Sequence, residues 1–492
     1  MDDQAERPVF AYDQVAYPSP ILDDVTPERL RASAMLHGFQ VVDPRTASLL
    51  EIGCGDGINV LAFAAIAPQA KAVGFDLSQD AIDKGRALLA RTGLGNVDLH
   101  VGDILSYPRA GEKFDYITCH GVFSWVPKIV RDAILELIAA RLKPGGIAYL
   151  SYDCLPAAAA KAAINRFLRS QVRPGVGLQQ ALEDATRAID LLGRNQRRGS
   201  ALREQLKSLS ESLPSFHPGY FYHDWLAPHY YPVELPALLQ TLADKGLANA
   251  GSANNYDLDF SELDEAAQKV IEACGSDHGQ RLAALGALHG SHMFQRDLIM
   301  QRAAPPLPVE NALRALSYAF SGTRREEQTE QGPAVVFERN PRSSISTADG
   351  DLIAVLECLR ERSPAELSYD LLSARSGVEP RVLERILLRL CACNLISAHS
   401  TPQPFTLKPG ERPRAGLLLR TMLTTSAYAA GLRGTKVEAS APETRYCLSL
   451  CDGTRTRSEI ATAMSRRFAT AIPEALVASA IAQFANQRVF EA

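Results

Sequence analysis

Glu51-Ile52-Gly53-Cys54-Gly55-Asp56-Gly57 and, about two dozen residues on, Gly74-Phe75-Asp76 decide the fold of this chain. An apolar run, Ala47 to Ile52, reads as a buried strand. Three glycines at alternate positions follow, and Ile58 to Ala67 then reads as a helix. Glycine lets the backbone turn sharply and come close to a ligand. The free N–H groups that open the next helix favour a carboxylate. A second short apolar run ends in Asp76, where folds of this kind place an acid on both hydroxyls of a ribose. The pair describes a nucleotide-like cofactor held at the top of a parallel sheet.

The glycine spacing separates cofactors. A dinucleotide fingerprint needs G-x-G-x-x-G, and position 58 is Ile. The pattern E-x-G-x-G-x-G instead resembles that of class I S-adenosylmethionine (SAM) methyltransferases. Three later features continue it. Val97 to Val101 reads as a strand leading to Gly102-Asp103-Ile104; Phe114 to Thr118 is a fourth, ending in Cys119-His120-Gly121; Leu142-Lys143-Pro144-Gly145-Gly146 precedes a fifth, Ile147 to Tyr152. Helices at Gln79 to Arg91 and Lys128 to Leu142 lie between them. The plainer alternative is a Rossmann-type domain that uses the loop for another ligand. The expected fold is α/β: a Rossmann-like, seven-strand class I methyltransferase sheet with helical insertions, followed by mostly helical, winged-helix-like C-terminal modules.

At 492 residues the chain needs two to four domains. Its 46% hydrophobic and 22% charged residues are those of a soluble globular protein. A net charge of −4 gives no general pull toward nucleic acid or an anionic membrane. The first residues, Met1 to Glu6, are acidic and polar, and no apolar run nears the roughly 20 residues of a membrane span. A cytoplasmic protein without membrane insertion or a nucleic-acid partner is expected, with a homodimer left open. Nine scattered cysteines suit reduced thiols. Cys391-x-Cys393 near His399, and Cys447 with Cys451, read as small buried hydrophobes rather than metal ligands, since neither pair has a C-x2-C partner. No metal is implied.

The organisation reads as follows. Residues 1–45 form a lead-in lid segment with Tyr12, Tyr17 and a helix near Pro27 to Phe39, opened by Thr26 as N-cap and Pro27 in the first turn. Residues 46–156 form the cofactor-binding core. Residues 157–303 hold a helical insertion and the last strands, Leu247 to Ala250 and Met293 to Gln301, with an aromatic and histidine cluster at Phe216 to Trp225. Residues 304–345 read as a linker, 346–402 as a winged-helix-like module and 403–492 as a second one. Residues 351–400 carry seven acids and six arginines, so a DNA-reading role is not expected there.

Several motifs together resemble one family. Tyr12-Asp13, Tyr17-Pro18-Ser19, Leu50 to Gly57, His120-Gly121-Val122-Phe123-Ser124-Trp125-Val126-Pro127, Ser151-Tyr152, Leu155-Pro156 and Asp452-Gly453-Thr454-Arg455 are similar to the bacterial methyltransferases with an attached regulatory domain. That family includes lysine methyltransferases acting on outer-membrane proteins. The resemblance implies SAM as cofactor and a protein substrate, an envelope protein among the candidates. It also implies where SAM binds: Gly53, Gly55 and Gly57 at the methionine portion, Asp76 at the ribose, Asp103 and Ile104 at the adenine, with Glu51, Leu77 and His120 also at the cofactor. His120, Tyr152 and Asp153 are the candidate catalytic residues; Tyr12, Tyr17, Trp125, Tyr222 and His223 are the candidate substrate residues. One departure stands out. The family shows Y-N-T-x-P-G-W after the fifth strand, and this chain has Tyr152-Asp153-Cys154-Leu155-Pro156-Ala157-Ala158. That keeps two other readings open: a small-molecule O- or N-methyltransferase, and a non-catalytic SAM-binding assembly protein.

Overall fold

The computed structural model describes residues 13, 15–173, 175–290, 292–302, 306–330 and 332–492; Tyr12 lies outside them. Seven strands form one sheet: β1 (Ser48–Ile52), β2 (Lys71–Asp76), β3 (Val97–Val101), β4 (Phe114–Cys119), β5 (Leu142–Asp153), β6 (Leu247–Ser252) and β7 (Phe294–Gln301). Their order is β3-β2-β1-β4-β5-β7-β6. β1 to β5 are parallel, Leu50 lying beside Val73 on one side and Ile117 on the other, and β7 is antiparallel to both neighbours. β1 and β4 are buried along their whole length, as expected for parallel strands covered on both faces. The order reverses between β1 and β4, and such a switch point opens a crevice at the carboxyl ends of the strands. The glycine loop sits there.

Helices α1 (Pro27–Leu36), α2 (Ile58–Ile66), α3 (Gln79–Thr92) and α4 (Lys128–Arg141) accompany the parallel strands. Thr26 caps α1 as the sequence predicts, and Ser78 caps α3 by accepting from the Ala81 N–H. Between β5 and β6 come α5 (Ala159–Gln171), α6 (Leu178–Arg194), α7 (Ala201–Ser212), α8 (Pro218–Trp225) and α9 (Leu235–Asp244). The first four build their own small core around Ile164, Leu168, Ile189 and Phe221. α10 (Glu265–Glu272) and α11 (His278–Leu288) lead into β7.

The predicted linker at 304–345 is folded. It holds α12 (Val309–Ala315), β8 (Ser317–Ala319), β9 (Thr323–Thr329), β10 (Gly332–Asn340) and β11 (Ser343–Thr347). β9 reads Thr-Arg-Arg-Glu-Glu-Gln-Thr and is largely exposed, so it lacks the apolar alternation by which a strand is recognised. β8 joins the sheet β12-β8-β13 of the next module, with β12 at Leu367–Ser368 and β13 at Ser397–His399. That module therefore draws on residues before 346. Its helices are α13 (Gly350–Arg362), α14 (Tyr369–Ser376) and α15 (Pro380–Ala392). The last part holds α16 (Leu417–Met422), the hairpin β14 (Tyr428–Ala430) and β15 (Lys436–Glu438), then α17 (Pro442–Leu450), α18 (Arg457–Phe468) and α19 (Glu474–Ala485).

These parts are packed together. Leu418 and Ala430 share a core with Ile58, Leu61 and Ala62 of α2. α1 divides its apolar residues: Leu30 and Ala34 join the core of the large sheet, while Ala32, Met35 and Leu36 join that of the first module. At its start, Glu28 is buried and meets His399 and Ser400. Among the described residues no helix is long and apolar enough to cross a membrane. All nine cysteines are free; Cys391, Cys447 and Cys451 are buried as expected, but Cys393 is exposed.

Candidate active site

Gly53, Gly55 and Gly57 adopt φ of +68°, +57° and +70°, a region that side chains with a Cβ rarely enter. A Cβ at Gly53 would lie 2.6 Å from Val122 Cγ2, and one at Gly57 would lie 2.6 Å from Leu99 Cδ2. A Cβ at Gly55 would meet nothing within 4 Å. The loop thus packs down at both ends and is open in the middle, which is a cradle for a ligand. Asp76 closes its far side: Oδ2 accepts from the Gly55 N–H and Oδ1 from the Ser78 N–H, both at 2.9 Å. Each oxygen keeps a lone pair for a ribose hydroxyl.

The electrostatics are one-sided. Glu51, at the end of β1, is buried, and burial together with the charges of Asp56 and Asp76 pushes its carboxyl up to about 8. Burial also raises Asp56 and Asp76. No ion pair to any of the three is found among the described residues. The donor set therefore fits a cofactor that brings positive charge, as a sulfonium with an amino group does. Leu77 is 46% exposed beside Asp76. Asp103 is exposed, with Oδ1 accepting from the Leu105 N–H, and Ile104 is buried beside it.

A strap crosses the cradle. The Ser78 hydroxyl bonds the Asp13 carboxylate, Ser19 bonds Asp56, and Asn59 on α2 holds the Pro20 carbonyl and the Leu22 N–H. At its other end His223 on α8 meets the Val15 carbonyl at 2.6 Å, and Tyr17 packs against His223 and Tyr220 with ring centroids 5.9 and 6.1 Å apart. His223 is thus a strap anchor here. Tyr222 turns toward the core of the helical insertion.

The candidate catalytic residues divide. His120, half-buried at the end of β4, contacts the Tyr149 hydroxyl through Nδ1 at 2.9 Å. Burial brings its pKa down to about 4, so it is neutral at pH 7. Tyr152 is fully buried and donates to Asp297 at 2.5 Å. Its hydroxyl is thus held within the core of the sheet, next to Asp153 in the chain. Asp153 is buried too, and its Oδ2 takes the Lys161 ammonium at 2.8 Å and the Tyr230 hydroxyl.

Lys161 is the residue that sequence reasoning missed. Its Nζ lies 5.0 Å from the Trp125 ring centroid, 5.5 Å from Trp225 and 5.0 Å from Tyr230, with the side chain only 6% exposed. Three rings and a carboxylate around an ammonium make an aromatic cage. The Trp125 indole N–H is buried there without a partner. Asp224 stands near, its carboxyl pushed up to about 6 by burial against the pull of Lys161 and Tyr220. The backbone fixes the walls: Ser124 bonds the Asp153 and Tyr231 N–H groups, and Asn165 holds the carbonyls of Trp225 and Ala227. The departure from the family pattern gains a physical account, because the acid at position 153 is matched by Lys161. Elsewhere His37, Asp257 and His278 bring three ligand-type atoms within 4.8 Å of one another. His37 and Asp257 pair at 2.9 Å. Their spacing in the chain is too wide to signal this.

Residues 49–146 match a family model described as a methyltransferase domain. An uncharacterized protein of Rickettsia prowazekii, RP028, is 42% identical over 147 residues, which is 30% of this chain and 59% of that protein. The ubiquinone biosynthesis O-methyltransferase of Xanthomonas axonopodis pv. citri is 32% identical over 126 residues, 25% of this chain and 50% of that enzyme. The matches to these relatives thus span 59% and 50% of their lengths. Among solved structures, PKMT2 from Rickettsia typhi in complex with AdoHcy superposes over 96% of this chain and 99% of its own, with a TM-score of 0.80 and 20% identity. Strand order, glycine loop and matched segment agree: residues 49–146 form a class I SAM-dependent methyltransferase domain, in a chain that shares the fold of PKMT2.

Proposed function

We propose that the chain uses SAM to methylate lysine side chains of a protein. The observation that carries this reading is the cage of Trp125, Trp225 and Tyr230 at the end of β5, a pocket that fits an alkylammonium because it holds one. The name PKMT2 of the structure with the same fold points the same way. Gly53, Gly55 and Gly57 would hold the methionine end of SAM, Asp76 the ribose, and Asp103 with Ile104 the adenine. SAM supplies a methyl group activated on a sulfonium.

The residues of the chain do the rest. The carboxylates of the loop would attract the cationic cofactor, and the strap over residues 15–22 would shield the cradle from water. A lysine acceptor has to give up a proton at an ordinary pKa of about 10.4, and a desolvating aromatic pocket lowers that value. His120 is neutral at pH 7, as a proton acceptor must be, but a pKa of about 4 makes it a weak base. Desolvation in the aromatic pocket is therefore assigned the larger share of the activation.

A small-molecule acceptor is the second reading, favoured by the fact that Lys161 itself fills the cage. The test is transfer of labelled methyl from SAM to a bacterial envelope extract and, in parallel, to a metabolite extract. Base-stable label mapped to lysine supports the first reading. Label confined to metabolites moves the assignment to the second. SAM binding without transfer to either leaves a non-catalytic assembly role.

A further inference from the structure

A cavity of about 340 Å³ lies at the seam between the large sheet and the two C-terminal modules, and no residue of the glycine loop or the cage lines it. Its walls come from distant parts of the chain: Asp23, Arg29, Asn255, Arg339, Thr435 and Arg488 among them. Arg433 also lines it, but that guanidinium is spoken for, forking onto Glu366 at 2.8 and 2.7 Å. The other three arginines have no carboxylate within ion-pair distance among the described residues. Arg29 donates to the Ala398 carbonyl. Arg339 donates to the Asn394 backbone and side-chain oxygens at 3.2 and 3.0 Å. Arg488 donates to Ser321 Oγ at 3.1 Å and stacks 5.6 Å over Phe405. Lys436 adds a fourth positive charge at the exposed rim.

Against these stand two acids. Asp24 is committed to Arg296, which leaves Asp23 as the one uncommitted carboxylate among the described lining residues, with Glu28 behind Arg29. Burial lowers the pKa of both Arg339 and Arg488; Arg29 depresses the former further, and Arg433 with Arg339 the latter, against the opposing pull of Glu366 and Asp23. Two buried polar atoms of the lining also lack partners, Asn255 Oδ1 and Thr435 Oγ1. Asn255 is held at a φ of +63° with 7% of its surface exposed, so its amide is fixed in place. Like charges gathered where water is scarce are expensive unless an anion joins them. Arginine forks suit phosphate oxygens, and the orphaned amide and hydroxyl suit the groups beside a phosphate. A half-open cavity of about 340 Å³ is of the size that takes a small molecule.

We infer that this cavity is a binding site for a small phosphate-bearing anion, gripped by Arg29, Arg339 and Arg488 at the junction of the three parts of the chain. The shared chemistry is a diphosphate group, free or esterified to a nucleoside. The test is calorimetric titration of the full chain, kept saturated with SAM so that the glycine-loop site is occupied, with inorganic pyrophosphate, with ADP and with adenosine, at about 150 mM salt, where loose surface association is screened. Pyrophosphate or ADP is expected to bind with a Kd below about 1 mM, and adenosine alone not to bind. Pyrophosphate as the tighter ligand indicates the free anion, and ADP as the tighter one indicates a nucleotide. The double variant Arg339→Gln/Arg488→Gln should weaken binding by at least about ten-fold, whereas Arg197→Gln/Arg198→Gln, exposed on the helical insertion, should leave it unchanged.

A second readout separates a binding site from a structural one. With no anion present, relief of repulsion should leave the cavity variant with a Tm equal to or above that of the parent. Added pyrophosphate should raise the Tm of the parent alone. No binding by either diphosphate at ~1 mM would overturn the inference. So would equal loss in both double variants, or a lower Tm in the cavity variant without any anion effect.

Discussion

Around the glycine loop, Glu51, Asp56 and Asp76 crowd together with no ion pair among the described residues and only Lys84 acting on Asp56 from a distance; at the seam of the modules, Arg29, Arg339 and Arg488 crowd together with little acid to offset them. A third region behaves differently. Near the start of α1, Glu28 and Glu366 are buried in contact with Arg433 and His399, and Glu28 also accepts from the Ser400 N–H at 2.7 Å, so each acid has partners within the chain. The contrast separates structural charge from functional charge. Where the fold matches each buried ion, the ions hold elements together. Where it leaves a surplus of one sign, the missing partner has to come from outside the chain.

The internally partnered set gives the largest expected effect. Glu28→Ala removes one buried partner and should cost about 3–5 kcal/mol in urea unfolding. Burial would raise the Glu28 carboxyl, but His399 and then Arg433 hold it down to about 2. Its contribution is therefore present above the unfolded value near 4.5 and lost as pH falls toward 2. A loss below about 1 kcal/mol would erase the distinction between the regions.

On the acid-rich side, Asp76→Ala should weaken SAM binding by about 100-fold, or ~2.7 kcal/mol, with the far-ultraviolet circular dichroism unchanged. Unchanged affinity would sink the cofactor assignment. The cage comes next. Lys161→Met strands Asp153 as an unpaired buried acid, and Asp153→Asn should rescue it, a double-mutant cycle giving a coupling of about 2 kcal/mol. Additive losses would mean that the pair does not act as a unit. The smallest effect belongs to Glu51. With a carboxyl near 8 it is mostly neutral at pH 7 and gains charge as pH rises through that value. SAM affinity should improve about two- to five-fold between roughly pH 7 and pH 9 in the parent, and Glu51→Gln should remove that part of the dependence.

How much of this was legible in the chain follows from distance. β1, β2 and β4 were readable as short, largely apolar runs and β3 and β5 by the Gly102-Asp103 and Pro144-Gly145-Gly146 signals beside them, and the loop announces its backbone through Gly53, Gly55 and Gly57. β9 was not, since Arg324 to Gln328 look like solvated chain, and β8 has only three residues. The cage was half legible. Trp125, Asp153 and the aromatic cluster ending in Trp225 stand out in the sequence, but Lys161 sits in an alanine-rich helix that reads as ordinary packing, and Tyr230 meets it across some 70 residues of chain. The burial of Tyr152 against Asp297 had no signal either, because alternation in a strand does not say which face holds the cleft. The arginine cavity had no local signal at all: its members are set by how three separately readable parts dock.

The helix α1 has a consequence for how such a protein can be taken apart. Because Leu30 and Ala34 serve one core while Ala32, Met35 and Leu36 serve another, a cut after β7 would leave an apolar stripe bare on what remained. The same cut would strip Glu28 of His399 and Arg433. A recombinant fragment ending there is thus a poor cassette, and a grafted foreign tail would inherit a socket shaped for one tenant. Shuffling the appended modules between relatives would have to carry this one helix along with them.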